Sequence, residues 1–302
     1  MAFDSDARGG ALVRYEPEKP RGLFGRLKSG MQELTLKLGG PDLAQRLARI
    51  TAPQNEYGVD PFGLDMEFAK AAILPMLLLY KKYFRVQTFG IEKVPRGRVL
   101  LIVNHSGQLP LDAAMVGLAM IVDAEPPRVV RSMVEKWAPT LPFISTILAR
   151  TGQVVGTPEN CRRLLAAGEA IQVYPEGVKG LNKTWDKRYQ LQDFGLGFMR
   201  LALETDTPIV PVAVVGAEEQ AMNLYDLKPF AKLLGFPAFP VTPTGMPFPL
   251  PTKYRIYFGD PMRFAGDPNG EDVELDRRVK EVKAAIQAML NKGVADRPSV
   301  FW

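Results

Sequence analysis

Cysteine and histidine are almost absent: Cys161 and His105 are the only ones in 302 residues. One sulfur cannot close an intramolecular disulfide, and one sulfur with one imidazole makes no zinc or iron–sulfur ligand set. No metal centre and no cofactor are therefore expected, and a reducing cytoplasm is the natural compartment. Long apolar runs are also missing. The uninterrupted stretch Ala71 to Tyr80 has ten residues, one of them proline, against the roughly 20 that a membrane-spanning helix needs. The opening MAFDSDARGG has aspartates and arginine with no apolar segment behind them, unlike a secretory signal. Residues 1–20 read as a flexible tail.

What is present is a basic, core-forming composition. Hydrophobic residues make up 46% of the chain, enough for a substantial core, and the net charge is +5. Such a balance fits nucleic acid, anionic lipid or a phosphorylated substrate. Between Leu12 and Arg49 there are eight Lys/Arg against four Asp/Glu. Leu23, Phe24, Leu27, Met31, Leu34 and Leu38 fall at helical spacing with Arg26 and Lys28 on the polar side. That helix either lies on an anionic membrane or packs on the domain. Ala71–Tyr80, flanked by Lys70, Lys81 and Lys82, fits a helix half sunk in the interface or one buried in the fold. Leu233–Thr252 carries six prolines, three phenylalanines and no charge, an apolar loop that either packs under another element or faces lipid. Residues 21–84 are accordingly read as membrane-contacting helices and 85–302 as one α/β domain.

Within that domain RVQTFGIEKVP and GRVLLIV read as two strands joined by a turn, followed by a buried helix DAAMVGLAMIV and a strand RVVRS. Helices PENCRRLLAAGE and FGLGFMRLALET then alternate with strands AIQVYP and PIVPVAVVG, and KYRIYFGD is a further strand. The alternation predicts an α/β fold: a mixed, largely parallel sheet covered by helices. VELDRRVKEVKAAIQAMLNKG reads as an amphipathic helix ending at a glycine cap.

The lone histidine sits where a hydrophobic run breaks, in LLIVNHSGQLPLDAAM. It lies just beyond a strand's carboxyl end, the edge at which open α/β sheets hold ligands. Asp112 opens the next helix and suits an N-cap. A carboxylate beside an imidazole can also fix its tautomer so that the other nitrogen takes a proton. Ser106 is next to His105, but sequence neighbours on an extended loop point apart, which disfavours a serine hydrolase. A second polar island, AIQVYPEGVKG, holds Glu176 and Lys179, and Lys183, Lys187 and Arg188 follow. Its cations suit a phosphate; an exposed charged loop is the simpler alternative.

NHSGQLPLD, then YPEGVKG about 70 residues later, then PIVPVAVVGAEE resemble the ordered motifs of the glycerolipid acyltransferase family, whose members include the enzymes that make phosphatidic acid from lysophosphatidic acid. The resemblance runs from about Phe84 to Asp260. It implies a catalytic pair His105 and Asp112, with His105 as general base. It also implies an acceptor-binding turn containing Glu176, Gly177 and Lys179, and Arg150 as a further acceptor contact. The donor would be an acyl thioester, acyl-CoA or acyl carrier protein. The acceptor would be a lysophospholipid or related glycerolipid, met at the cytoplasmic side of a membrane by a peripheral enzyme. No nucleic-acid recognition motif is present. Two differences from the family pattern stand out: six residues separate His105 from Asp112 where the family has four, and Lys179 stands where it has arginine. The longer loop leaves open a non-catalytic lipid-binding protein on the same fold.

Overall fold

Valine, leucine and isoleucine without interruption can form a strand only where both of its faces are covered. Val99–Val103, VLLIV, is such a strand and is buried at every position. The computed structural model describes residues 41–302 except 51, 53, 107–109, 141–143, 182, 222–224, 228, 230–239 and 242–248. In it the strands β1 (Gln87–Phe89), β2 (Val99–Val103), β3 (Val130–Val134), β4 (Val154–Val155), β5 (Ala170–Val173), β6 (Ile209–Val215) and β9 (Arg255–Phe258) form a seven-stranded sheet. Its order is β1-β9-β6-β2-β5-β3-β4, and a separate short pair joins β7 (Tyr225–Asp226) to β8 (Pro240–Val241). Neighbours in the large sheet run parallel except β6 and β9. The mixed, largely parallel α/β architecture expected from the alternation is therefore present.

Side chains alternate across the sheet as the pleat requires. Leu101 and Val103 of β2 with Val210, Val212 and Val214 of β6 face one core, shared with Leu43, Leu77 and Met115. Leu100, Ile102, Ile209, Ala213 and Val215 face the other, shared with Leu164, Met199 and Leu290. The helices behind these residues are α1 (Pro41–Arg49), α2 (Met66–Leu78) and α3 (Leu111–Val122) on the first face, and α5 (Pro158–Ala166), α7 (Gly197–Thr205) and α8 (Asp272–Asp296) on the second. The short helices α4 (Ile144–Arg150) and α6 (Val178–Leu181) lie in the intervening connections.

The Ala71–Tyr80 stretch is mostly helix α2. Asp65 caps it, accepting from the Phe68 N–H at 2.9 Å, and a π-helical turn, Leu79–Tyr83, continues it. Ile73, Leu77, Tyr80 and Phe84 belong to the same core as Val99 and Leu101, so this part of 21–84 packs into the domain. Among the described residues no helix is long and apolar enough to cross a membrane. The expected tail, the amphipathic segment 23–38 and most of the proline-rich loop lie outside the described residues.

Two local expectations are corrected. β1 does not pair with β2; it pairs with β9, and β9 and β6 stand between them. Nine residues, Gly90 to Arg98, connect the two strands, and at about 3.3 Å per residue that reaches across the roughly 14 Å involved. The carboxyl-terminal helix also runs through Gly293 to Asp296 instead of stopping at a glycine cap. A Cβ on Gly293 would lie 2.6 Å from Tyr257 Cε2 and 2.9 Å from Val215 Cγ2, so glycine is there to let the helix approach the sheet closely.

Candidate active site

β2 ends with its polar groups already paired. Asn104 continues the ladder with its side chain: Nδ2 donates to the Val214 carbonyl at 3.2 Å and Oδ1 accepts from the Val214 N–H at 2.7 Å. The amide takes the place of the next backbone rung, which fixes where the chain leaves the sheet. His105 follows with its side chain 13% exposed, and its Nδ1 lies 2.8 Å from Oδ2 of the fully buried Asp112. The six-residue separation therefore keeps the His–Asp contact.

Asp112 is not the helix cap. Pro110 holds that position, and Asp112 sits in the first turn of α3. There the unpaired N–H groups of the helix start favour a negative charge. Oδ1 accepts from the Ala113 N–H at 2.8 Å and Oδ2 from the Ser106 N–H at 3.0 Å. An ionised carboxylate only accepts, so the imidazole donates from Nδ1 and keeps its lone pair on Nε2. Ser106 is fully buried, with Oγ 3.4 Å from the same Asp112 oxygen, which turns its hydroxyl away from a nucleophile's place.

The second island closes around the same histidine. The Tyr174 ring lies 4.5 Å from the imidazole, centroid to centroid, tilted by 39°. Glu176 accepts from the His105 backbone N–H at 2.9 Å through Oε1 and from the Gln192 N–H at 2.8 Å through Oε2. Its side chain is wholly covered, and Lys183 Nζ lies 3.2 Å from Oε2. Lys183 also reaches Glu218 Oε1 at 2.8 Å. Burial disfavours the Lys183 charge, but Glu218 and Glu176 outweigh it and hold its pKa above the ordinary lysine value. Burial raises the Glu218 pKa, with Lys183 opposing it. Glu218 Oε2 accepts from the Tyr189 N–H at 2.7 Å, the Tyr189 hydroxyl donates to Glu219 at 2.8 Å, and Arg297 pairs with Glu219.

The remaining expected residues are divided. Gly177 turns the chain with φ of 54°, and Lys179 is exposed on α6. A Cβ on Gly180 would lie 2.8 Å from both the His105 and Glu176 Cβ atoms, so α6 abuts the dyad. Arg150 is elsewhere. Its Nε and Nη2 bond Asp65 Oδ2 at 3.2 and 2.7 Å, and its guanidinium lies 4.1 Å from the Phe68 ring centroid. The Asp65 carboxyl is held below the ordinary range by the Phe68 N–H and by Arg150. Among the described residues no contact joins Arg150 to His105 or Asp112, and no cluster of His, Cys, Asp and Glu has the makings of a metal site.

The motifs contain Asn104, Glu218 and Glu219 without giving them a role, and pass over Gln192 and Arg297. The signal for the two glutamates is visible afterwards: adjacent acids at the end of the apolar run VAVVG need buried partners, but those partners are far off in sequence.

The acyltransferase family model matches residues 85–215, which include both islands. An uncharacterised protein of Mycobacterium leprae is 36% identical over 292 residues, covering 91% of this chain and 79% of its own. One of Mycobacterium tuberculosis is 36% identical over 279 residues, covering 86% and 78%. A Mus musculus protein described as a DGAT1/2-independent enzyme synthesizing storage lipids is 25% identical over 213 residues, covering 68% and 60%. The crystal structure of the 1-acyl-sn-glycerophosphate acyltransferase PlsC from Thermotoga maritima has a similar fold, with a TM-score of 0.51, 16% identity, and coverage of 91% of this chain and 97% of that one.

Proposed function

The chain belongs to the acyltransferase family, of the 1-acylglycerol-3-phosphate acyltransferase-like kind, and from that premise we propose that it moves a fatty acyl group from acyl-CoA or acyl carrier protein to the hydroxyl of a lysophospholipid or related glycerolipid. The observation that carries this reading is the 2.8 Å His105–Asp112 contact at the carboxyl end of β2. Nε2 of His105 takes the proton of the acceptor hydroxyl as its oxygen attacks the thioester carbonyl. The tetrahedral intermediate collapses to the ester, the C–S bond breaks, and the proton passes to the leaving thiolate. A positioned base of this kind contributes on the order of 10²–10⁴ in rate. The His105 and Ser106 amides are already bonded to Glu176 and Asp112, so other donors supply the oxyanion site.

Glu176 acts in this scheme as a positioning residue that holds the His105 backbone, and not as a direct acceptor contact. Lys179, exposed beside the dyad, takes the acceptor headgroup. Arg150 is left out because Asp65 holds its guanidinium. The enzyme works as a peripheral protein at the cytoplasmic membrane surface, attached through the basic segment 23–38 and the apolar loop. A neutral glyceride acceptor is the second reading, supported by lysine in place of a bidentate arginine and by the storage-lipid description of the mouse relative.

The test incubates the purified protein with labelled acyl-CoA and acyl-carrier-protein thioesters and a panel of lysolipids, glycerol 3-phosphate and diacylglycerol. A labelled phospholipid is the expected product. Labelled triacylglycerol alone favours the second reading. No transfer to any acceptor favours a non-catalytic lipid-binding protein on the same fold.

A further inference from the structure

Beside the π-helical turn Leu79–Tyr83 lies an open cleft of about 480 Å³, walled by Tyr80, Lys81, Lys82, Arg85, Asp123 and Lys253 among others. Its floor is on a different part of the fold from the dyad. Asp112 opens helix α3 and Asp123 follows its last residue, so the two are roughly 16 Å apart at 1.5 Å per residue.

The cleft is built for an anion. Asp123, the carboxylate in its wall, accepts from the Tyr80 hydroxyl at 2.5 Å and from Thr88 Oγ1 at 3.1 Å. No carboxylate pairs with Lys82, Arg85 or Lys253 among the described residues. Arg85 adopts a left-handed conformation, φ 46°, and its guanidinium is fixed by the carbonyls of Tyr83, Pro251 at 2.6 Å and Phe301 at 2.7 Å. Those bonds leave its charge uncompensated, and its Nε–H is buried without a partner. Because that Nε–H is closed to solvent, Arg85 contributes charge to the wall of the cleft and not a hydrogen bond. One exposed aromatic ring stands beside the cleft: Arg85 lies 5.9 Å from the ring centroid of Trp302, which is 77% exposed. Cations set in a pocket beside exposed aromatic surface match a phosphate at the water–lipid boundary.

We propose that this cleft binds a phosphate group, and that the phosphate belongs to an anionic phospholipid headgroup at the membrane surface. Lys82 and Lys253 supply mobile charge and Arg85 a fixed wall. The site is separate from the acyl-transfer centre. The lipid source rests on the peripheral-membrane reading above; phosphate binding does not.

The test compares the wild-type chain with Lys82→Glu/Lys253→Glu, with the milder Lys82→Gln/Lys253→Gln, and with Lys280→Glu/Lys292→Glu on α8 as a charge-matched control. Each is sedimented with vesicles of phosphatidylglycerol and phosphatidylcholine or of phosphatidylcholine alone, and titrated with inorganic phosphate. Acyl transfer to detergent-dispersed acceptor is read in parallel. The cleft reversal should weaken phosphatidylglycerol binding by roughly tenfold or more, with the glutamine pair intermediate, the control near wild type and detergent activity unchanged. Inorganic phosphate binding lost in the cleft variants, with vesicle binding unaltered, keeps the phosphate site and overturns the lipid source. Equal losses in the α8 control reduce the effect to overall charge and overturn the proposal. So does wild-type behaviour of the cleft variants in both assays, or a wild type that binds neither phosphate nor phosphatidylglycerol. A protein without acyl transfer that still shows the cleft-specific loss refutes the enzymatic reading alone.

Discussion

Beyond the carboxyl ends of β2 and β5 stand two buried carboxylates, Asp112 in the first turn of α3 and Glu176 in a turn, and they act on the same histidine in different ways. Asp112, beyond β2, fixes the inner nitrogen of a ring that stays partly exposed. Glu176, beyond β5, spends both oxygens on backbone amides and a buried lysine. Both hold His105, one by the imidazole and one by the main chain. A polar island in sequence is thus no guide to which acid faces a substrate. Neither faces one here: Asp112 takes the Ala113 and Ser106 N–H groups as well as the imidazole, Glu176 is spent as described, and a fully donated carboxylate has nothing left to offer a ligand.

Paired amide substitutions separate the two roles. Asp112→Asn retains the shape and loses the acceptor that holds the imidazole tautomer, so acyl transfer falls on the order of 10²–10⁴ while chemical denaturation shifts by no more than about 1–2 kcal/mol. Glu176→Gln breaks a buried ion cluster and is expected to cost roughly 3–5 kcal/mol of stability, with activity falling because the His105 loop loosens. Denaturation and initial rates measured on both variants check this; the reverse pattern would exchange the roles.

Gly180→Ala tests the contact between the islands. A methyl 2.8 Å from two Cβ atoms forces α6 away from His105, at about 1–3 kcal/mol, and the rate should drop more than the melting temperature explains. High pH probes the packing behind the dyad. Tyr174, Tyr189 and Tyr254 have pKa values well above the usual value, first through burial, then through Asp112 for Tyr174 and Tyr254 and Glu219 for Tyr189. Because the folded-state values are raised, the neutral forms stabilise the fold fully below the unfolded value of about 10 and lose that contribution as pH rises beyond it. Melting temperature should fall steeply above about pH 10, and these tyrosines should ionise only on unfolding. Reversible ionisation of every tyrosine near pH 10 in the intact protein would contradict the packing. Lys179→Ala gives the smallest change in stability, within about 0.5 kcal/mol, and should act through KM for an anionic acceptor.

Much of the architecture could be read because it depends on local pattern. VLLIV and PIVPVAVV announce buried strands by composition alone, and the alternation with helices leads to the mixed sheet. The neighbours of β1 could not be read, since strand pairing across nine connecting residues has no local signature. Gly293 was equally opaque: a glycine near a helix end looks like a cap until the Tyr257 ring beside it is seen. At the site, His105, Asp112 and the Glu176 turn were legible as motif residues, but Asp112's place inside the helix and Glu176's inward bonding were not. The first depends on Pro110 taking the cap position, and the second on Lys183, Gln192 and Glu218, whose involvement only the folded chain reveals.

The most direct measurement is kcat/KM for acyl transfer by wild type and by His105→Ala, compared at equal folded fraction as judged by melting. A fall of about 10²–10⁴ with an unchanged melting transition is the result predicted for a base held at two points. Undiminished transfer by His105→Ala would contradict it.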